Sequence, residues 1–180
     1  MKEDLRREIE LKAGVTATLT KDTLNVKGSK GDVTRTFSHP KVSISMEGNK
    51  IVLLAPKATR REKTIICSFE SHITNMVEGV QEPYIYKLKI CSGHFPMNVS
   101  VSGNEVIIKN FLGEAVPRRV EIVKGAQVKI NGEEIVVTSP DVEVAGQTAA
   151  NIESACRITN RDRRIFQDGC YITEKAVKSD

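Results

Sequence analysis

The sequence contains one internal duplication, and this feature restricts the possible folds more than any other. Residues 41–56 (KVSISMEGNKIVLLAP) and 127–140 (QVKINGEEIVVTSP) share an apolar alternation, a glycine turn, a second apolar run and a closing proline. The match extends outward to residues 24–35 and 106–119, with Gly31 opposite Gly113. Self-similarity over segments this long indicates two tandem copies of a complete domain, not a solenoid of short repeats.

A two-residue periodicity within each copy predicts antiparallel strands. Apolar and polar side chains alternate at residues 42–47, 84–90 and 99–101, which is typical of half-buried strands. The Glu-Gly-Asn at 47–49 and the Asn-Gly at 131–132 are expected to form hairpin turns, because Gly and Asn tolerate the positive φ of tight turns. Each copy is therefore expected to contain several strands joined by short turns.

Each copy then continues into a segment with helical periodicity. Thr59 and Glu62 have the spacing of a capping box, which stabilises the first turn of a helix. The apolar stripe of the first helix comprises Ile66, Phe69, Ile73, Met76 and Val80, and that of the second comprises Ala145, Ala149, Ile152 and Cys156. Both stripes are interpreted as core positions, because apolar side chains at this spacing form one helix face.

These patterns predict an α+β fold with an internal duplication, in which two similar domains each have antiparallel β-sheet packed with one α-helix. The first domain is assigned to residues 1–81 and the second to residues 82–180, with the boundary near Gln81-Glu82-Pro83. The charged lead-in at residues 1–13 is compatible with a short N-terminal helix.

Composition excludes several classes of protein and of site. With 39% apolar and 28% charged residues, the chain has a globular composition. The N-terminal segment has no apolar core and no run could span a bilayer, so the protein is expected to be soluble and cytoplasmic, with no membrane partner. The cysteines are dispersed and the histidines are not clustered, so we expect neither a metal nor any cofactor. The net charge of +4 is compatible with a phosphate-rich partner but does not require one.

No pattern of enzyme chemistry is present in the sequence. Phosphate-cradling glycine loops, a nucleophile elbow and paired zinc-binding histidines are all missing. An active site assembled from distant segments is the remaining enzymatic alternative, and it would be recognised by shifted titrating groups that converge in a pocket. The prediction is that the chain is not an enzyme.

The basic segment at residues 157–171 (RITNRDRRIFQDGCY) stands out because its cations are all arginine. It places Arg157, Arg161, Arg163 and Arg164 close together after the second helix, which we interpret as an extended basic C-terminal arm from about residue 157. Arginine suits this role because its planar fork contacts phosphate with two hydrogen bonds and stacks on bases. A solvated charge run is the simpler alternative. Residues 81–180 carry equal numbers of acids and bases, so an RNA-binding face there requires segregation of charge.

Four stretches closely resemble the universal large-subunit ribosomal protein "L six" family, in its archaeal and eukaryotic form. They are VKGSKGDVTRTFSHPKV (26–42), YIYKLKICSGHFPMNV (84–99), NFLGE (110–114) with RRV (118–120), and NRDRRIFQDGCYITEK (160–175). The resemblance implies a duplicated two-domain structural constituent of the large ribosomal subunit. It also implies binding to 23S-type ribosomal RNA near the sarcin–ricin loop and the stalk base, mainly through the C-terminal domain. Neighbouring ribosomal proteins and translation factors would lie nearby.

The predicted RNA-contacting residues follow from residue type together with this resemblance. The arginines of the basic segment are the first candidates, and Lys87, Lys89 and His94 are the next. Lys30, in a hairpin expected at Gly28–Gly31, and Arg35 are assigned to RNA or a neighbouring protein. Asn110 and Gly113 either shape a turn or contact a partner. A non-ribosomal RNA-binding module is the alternative function, although the chain lacks the RRM and KH signatures.

Overall fold

The computed structural model describes residues 3–178, with side chains as far as Ala176. Within this range the chain forms β-strands, two α-helices and one short 3-10 turn. The elements of the first half are β1 (Glu3–Glu10), β2 (Thr16–Thr20), β3 (Thr23–Gly28), β4 (Gly31–Thr36), β5 (Ser43–Glu47), β6 (Lys50–Ala58) and α1 (Arg60–Gly79). Those of the second half are β7 (Tyr84–Cys91), β8 (Asn98–Ser102), β9 (Glu105–Lys109), the 3-10 turn (Phe111–Gly113), β10 (Arg118–Glu121), β11 (Gln127–Asn131), β12 (Glu134–Ser139), α2 (Val142–Ala155) and β13 (Gly169–Lys178).

The duplication is visible in the sheet topology. In the first copy β1, β6 and β5 form one antiparallel sheet and β2, β3 and β4 form another. The second copy repeats both sheets, with β7, β12 and β11 in the order of β1, β6 and β5, and it adds β13 beside β7. One helix follows the sixth strand of each copy. The predicted duplicated α+β fold is confirmed.

The two predicted glycine turns occur at equivalent places in the two copies. Gly48 lies between β5 and β6 with φ 60°, and Gly132 lies between β11 and β12 with φ 62°. In both cases two residues connect a cross-strand pair, Glu47 with Lys50 and Asn131 with Glu134. Glycine is required here because an L side chain rarely adopts this left-handed backbone conformation. Both turn predictions are confirmed.

The first helix begins as the sequence predicts, and both helices pack as predicted. Glu62 accepts a hydrogen bond from the Thr59 backbone N–H at 2.8 Å, which completes the capping box of α1. Asp141 caps α2 by accepting from the Glu143 N–H at 2.9 Å. Each helix packs its apolar stripe against its own copy. The buried stripe positions are Ile66, Ile73, Met76 and Val80 in the first copy, where Phe69 is partly buried, and Ala145, Ala149, Ile152 and Cys156 in the second.

The chain divides into two compact units, of which the first ends at Glu82 and the second begins at Pro83. Each unit has its own apolar core built from Ile, Val and Leu. The core of the second unit also contains Phe111, Cys156 and Cys170. Two separate cores are what a duplicated domain requires, because each copy must bury its sheets against its own helix.

The N-terminal segment is a strand, so the helical interpretation of the lead-in is wrong. β1 pairs antiparallel with β6 along residues 3–10, and Ile9 is buried against the first core. Leu5 and Ile9 have helical spacing, but they also satisfy a two-residue period. Pairing with a distant strand decides between the two periods, because it satisfies the backbone hydrogen bonds of β1 at the edge of a formed sheet.

The basic segment is not an extended arm, and that prediction is also wrong. β13 follows it and pairs antiparallel with β7, so that Cys170 lies opposite Ile90 and Ile172 opposite Leu88. The apolar residues after the arginines alternate with the period of a strand and belong to the core sheet. Residues 157–168, hereafter the arginine loop, are consequently closed at one end by α2 and at the other by β13.

Candidate nucleic-acid interface

The arginine loop is folded into a compact turn by its own backbone and by Asp162. The carbonyl of Asp162 accepts hydrogen bonds from the N–H groups of Ile165 at 3.1 Å and Phe166 at 2.9 Å. Its carboxylate accepts from the backbone N–H of Arg164 at 2.9 Å. With the backbone engaged in the turn, the guanidinium groups lie on the outside, and the exposed residues are Arg157, Arg161, Arg163 and Arg164.

Asp168 joins the arginine loop to the loop between β7 and β8, residues 92–97, hereafter the β7–β8 loop. Its buried carboxylate accepts backbone N–H groups of Gly93 at 2.6 Å, His94 at 3.2 Å and Phe95 at 3.4 Å. Burial favours the neutral acid, but these three hydrogen bonds and the nearby His94 ring together hold the pKa of Asp168 below its ordinary value. Asp168 is therefore a charged anchor that fixes both loops.

This anchor brings His94 and the arginine loop together. The His94 ring lies 4.9 Å from the Phe166 ring, measured between centroids. His94 and Arg163 both line a groove of about 720 Å³ at the junction of the two loops with β7 and β13, hereafter the β7–β13 groove. Other lining residues include Ser92, Ile165, Gln167 and Tyr171. Two predicted RNA contacts from distant parts of the sequence therefore share one concave surface.

Arg161 and Arg164, two further cations of the arginine loop, differ in their contacts with the rest of the protein. The Arg161 guanidinium carbon lies 5.0 Å from the centre of the Phe166 ring, so this side chain is stacked yet exposed. Arg164 forms an ion pair with Asp162 at 2.8 Å. The side-chain hydrogen bond to Asp162 raises the pKa of Arg164, and the same bond lowers the pKa of Asp162. Part of the Arg164 charge is thus offset within the loop.

Arg118 supports the beginning of the arginine loop, where the chain leaves α2. Its guanidinium donates to both carboxylate oxygens of Glu114, at 2.6 and 2.8 Å, and to the carbonyl of Ala155 at 2.6 Å. A longer bond of 3.4 Å reaches the carbonyl of Arg157, and the guanidinium lies 4.2 Å from the centre of the Phe111 ring. Arg118 satisfies the carbonyl of Ala155, the last residue of α2, which would otherwise have no helical partner.

Lys87 and Lys89 lie on β7, on the sheet face opposite α2. Lys87 forms an ion pair with Glu174 of β13 at 2.9 Å, and this hydrogen bond raises the pKa of Lys87. Lys89 is exposed and lies between Glu134 and Tyr171 in the strand register. Both lysines therefore have acidic or polar neighbours, and neither projects from the arginine loop.

Lys30 and Arg35 belong to the first unit, at opposite ends of the β3–β4 hairpin. The predicted Gly28–Gly31 turn is confirmed, with Gly28 paired to Gly31 and the Lys30 N–H bonded to the Val80 carbonyl at 2.9 Å. The Lys30 side chain is exposed. The Arg35 guanidinium lies 3.4 Å from the His72 ring nitrogen of α1. The two predicted residues therefore do not form one cluster.

Asn110 and Gly113 shape the turn that supports the β7–β8 loop. Both have positive φ, 59° and 80° respectively. The Asn110 amide donates to the Pro96 carbonyl at 3.0 Å, and a Cβ at position 113 would lie 3.4 Å from the Phe95 ring. The sequence left two roles open for these residues, which were to shape a turn or to contact a partner. The geometry supports the first role.

Two supporting residues were missed by sequence reasoning. Asp168 is the second acid in a basic segment and precedes a glycine, and this Asp-Gly pair is a signal that could have pointed to a turn. Arg118 gives no comparable signal, because its partners lie in two other segments. Within residues 3–178 no His, Cys, Asp and Glu side chains are grouped to hold a metal ion, and neither helix is long and apolar enough to cross a membrane.

Comparison with known proteins identifies the family of this chain. The family model described as Ribosomal protein L6 matches residues 12–83 and 95–169, so each copy of the duplication is matched once. The chain belongs to the ribosomal protein L6 family. The chain is also 49% identical, over 96% of both chains, to the large ribosomal subunit protein uL6 of Saccharolobus solfataricus. It is 46% identical to that of Methanocella arvoryzae, over 94% of this chain and 97% of the relative.

A third L6 relative, from Haloarcula marismortui, is 42% identical over 97% of this chain and 98% of its own length. Membership of the L6 family confirms the resemblance noted in the sequence, and these relatives are archaeal as expected. It also confirms the prediction of a ribosomal protein that is not an enzyme. The two matched segments lie one in each compact unit, apart from Pro83 at the end of the first.

Proposed function

We propose that this chain is a structural constituent of the large ribosomal subunit in the cytoplasm, and that it binds large-subunit ribosomal RNA through its second unit. The contact surface consists of the arginine loop, His94 and the adjacent β7–β13 groove. The proposed phosphate contacts are Arg157, Arg161 and Arg163, with a smaller contribution from Arg164. Lys87 and Lys89 on the neighbouring sheet face, and Lys30 and Arg35 of the first unit, are proposed as secondary contacts.

The observation that carries this proposal is the placement of the arginine side chains on a loop with a fixed backbone. The loop is tied at Asp168 to three N–H groups of the β7–β8 loop, and the turn at Asp162 directs the cations outward. A cation that is already positioned loses less entropy when it contacts a phosphate. Arginine also releases counterions from the RNA, which favours binding at low salt.

The proposed location follows from the family. Its resemblance to large-subunit proteins supports a site near the sarcin–ricin loop and the stalk base, beside neighbouring ribosomal proteins and translation factors. Chemical footprinting of large-subunit RNA, with and without the full chain, tests this location directly. We expect protection in the sarcin–ricin region. Protection confined to another domain of the RNA would contradict the location but not the binding.

Binding itself is tested with the double variant Arg161→Ala/Arg163→Ala in a filter assay against protein-free large-subunit RNA. Each lost phosphate contact should lower the slope of log K against log salt by about 0.7 to 0.9, so we expect affinity and slope to fall together. The matched control is the double variant Arg60→Ala/Arg61→Ala, at two exposed arginines of α1. Equal binding by both variants would contradict the role of the arginine loop. Sedimentation with ribosomal subunits separates a ribosomal component from a free RNA-binding module.

A further inference from the structure

The β7–β13 groove contains exposed apolar surface that phosphate binding does not explain. Ile165 is 60% exposed and Tyr171 is 38% exposed. Hydrogen bonding to Asp162 fixes the backbone at Ile165, so the turn itself holds the isoleucine outward. Large apolar side chains exposed together in a concave site indicate a binding surface.

Tyr171 is held in place on two sides before any partner arrives. Its hydroxyl donates a hydrogen bond to the Gln167 carbonyl at 3.1 Å. A Cβ added at Gly169 would come within 3.2 Å of the ring, so glycine at this position allows the ring to lie against the backbone. A fixed aromatic ring makes a good stacking surface, because little rotamer freedom is lost when a ligand contacts it.

The charges around the groove favour an anionic ligand. Arg163 lines the groove and forms no ion pair with the residues that the structure describes. Asp168 is the acid of the groove, but its carboxylate is 1% exposed and is directed at three backbone N–H groups. The groove thus combines one open cation with two apolar side chains.

We propose that the β7–β13 groove binds one unpaired nucleotide of the RNA partner, with its base between Ile165 and Tyr171 and its phosphate at Arg163. The inference rests on the proposed function and specifies the ligand of that surface. A base-paired helix fits the groove poorly, because the faces of its bases are stacked inside the helix and only phosphates, sugars and base edges reach a protein surface. A splayed-out base offers an apolar face to the tyrosine and keeps its phosphate nearby.

The inference is tested with the full chain and two RNA probes, a short oligoadenylate and a blunt-ended RNA duplex with the same number of phosphates. Tyr171→Leu removes the aromatic stacking surface but keeps an apolar side chain, and Ile165→Ser removes the other apolar surface. Stacking contributes about 1–3 kcal/mol per base, so Tyr171→Leu should weaken oligoadenylate binding by about 5- to 150-fold. Binding of the duplex should change by less than about twofold, and the salt slope should not change, since no cation is removed.

Tyrosine emission provides a second measurement, since the chain has three tyrosines and no tryptophan. Oligoadenylate stacked on Tyr171 should quench part of the emission of the wild-type protein. Tyr171→Phe keeps the ring, so we expect it to bind oligoadenylate within about twofold of wild type while this quenching is lost. The control for exposed apolar surface elsewhere is Val116→Ser, because Val116 is 77% exposed and does not line the groove.

Each outcome bears on either the groove or the proposed function. If wild type fails to bind large-subunit RNA, the proposed function is wrong and the groove assignment falls with it. If wild type binds that RNA but Tyr171→Leu and Ile165→Ser bind oligoadenylate as tightly as wild type does, the groove assignment alone is wrong. Equal losses for the duplex and the oligoadenylate would also overturn it. So would variants that keep full RNA affinity but fail to enter ribosomal subunits, since the occupant would then be a protein.

Discussion

The backbone N–H of Gly93 donates a 2.6 Å hydrogen bond to the carboxylate of Asp168, although the two residues lie 75 positions apart. This bond is the shortest of the three that hold the β7–β8 loop against the end of the arginine loop. Because Asp168 is buried, it is not available to contact RNA, yet it positions residues that are proposed to do so. RNA affinity should therefore depend on a residue that contacts no phosphate.

Replacing Asp168 with asparagine should weaken RNA binding without removing a cation. The amide has one acceptor oxygen and brings two donor hydrogens toward N–H groups that are themselves donors. We expect the free energy of unfolding to fall by about 1–3 kcal/mol, as for a buried hydrogen-bonding group that loses its partner. Large-subunit RNA affinity should also fall, while the salt slope stays near the wild-type value. Urea denaturation and filter binding at several salt concentrations measure the two effects, and unchanged affinity in a destabilised variant would contradict the positioning role.

The capping carboxylate of α1 should make stability depend on pH. Hydrogen bonds from the Thr59 side chain and backbone, and then from Lys41, lower the pKa of Glu62 from 4.5 to about 2. Because the folded state holds the ionised form, this contribution is fully present above pH 4.5 and is lost as the pH falls toward about 2. Glu62→Gln should therefore lose less stability than wild type across that interval. Thermal unfolding at intervals from pH 6 to pH 2 measures this, with Glu133→Gln, at an exposed turn, as the control.

Local periodicity was sufficient to predict much of the fold. The hairpin turns at Gly48 and Gly132 and the buried stripe of α2 depend on residues that lie only a few positions apart in the sequence. The chemistry of such elements is local, so the sequence pattern and the structure agree. The repeat also contains a signal for the N-terminal strand, since β7 repeats β1 and the alternation in β7 predicts a strand at the equivalent position.

The errors concern contacts between distant residues. β13 forms because Cys170 and Ile172 enter the core beside β7, and nothing local to the arginines reveals that partner. Because the arginines lie on a closed loop and not on an extended arm, the sequence alone does not reveal which cations share a surface. For the same reason the sequence places His94 only among the secondary candidates, whereas in the structure Asp168 brings it to the groove lined by Arg163.

Asp162 should limit the affinity of the arginine loop for RNA, because its carboxylate is paired with Arg164. Asp162→Asn removes one negative charge and leaves the Arg164 charge available to phosphate. The carbonyl of residue 162, which holds the turn, is retained. We expect tighter binding to large-subunit RNA and a salt slope that increases by up to about 0.9. Filter binding measures both quantities.

The double variant Asp162→Asn/Arg164→Ala is the informative companion to this experiment. If the gain comes from the released arginine, it should disappear in the double variant. A gain that persists without Arg164 would mean that the aspartate acts by general repulsion of the RNA, and the pairing explanation would be wrong. Asp22→Asn, at an exposed turn of the first unit, controls for the change in net charge.

Two adjacent arginines of β10 should contribute very unequally to the stability of the fold. Arg118 is bonded to both oxygens of Glu114 and to the carbonyl of Ala155, and it stacks on Phe111. Arg119 is 68% exposed and has a 3.5 Å ion pair with Glu105. Surface pairs of this kind contribute less than about 1 kcal/mol, whereas hydrogen bonds to a charged, partly buried group contribute about 1.5–3 kcal/mol each.

Arg118→Ala should therefore lower the free energy of unfolding by about 2–4 kcal/mol, and Arg119→Ala by less than about 1 kcal/mol. Lysine cannot restore Arg118, because a single ammonium group cannot bond to both oxygens of Glu114 and stack on Phe111 as the planar guanidinium does. Because Arg118 also holds the carbonyl groups where α2 passes into the arginine loop, RNA affinity should fall in Arg118→Lys even under conditions where the protein remains folded. Urea denaturation and filter binding of all three variants measure these effects. Equal stability of Arg118→Ala and Arg119→Ala would show that the guanidinium network adds nothing to the fold, and the support assigned to the arginine loop would then have to come from Asp168 alone.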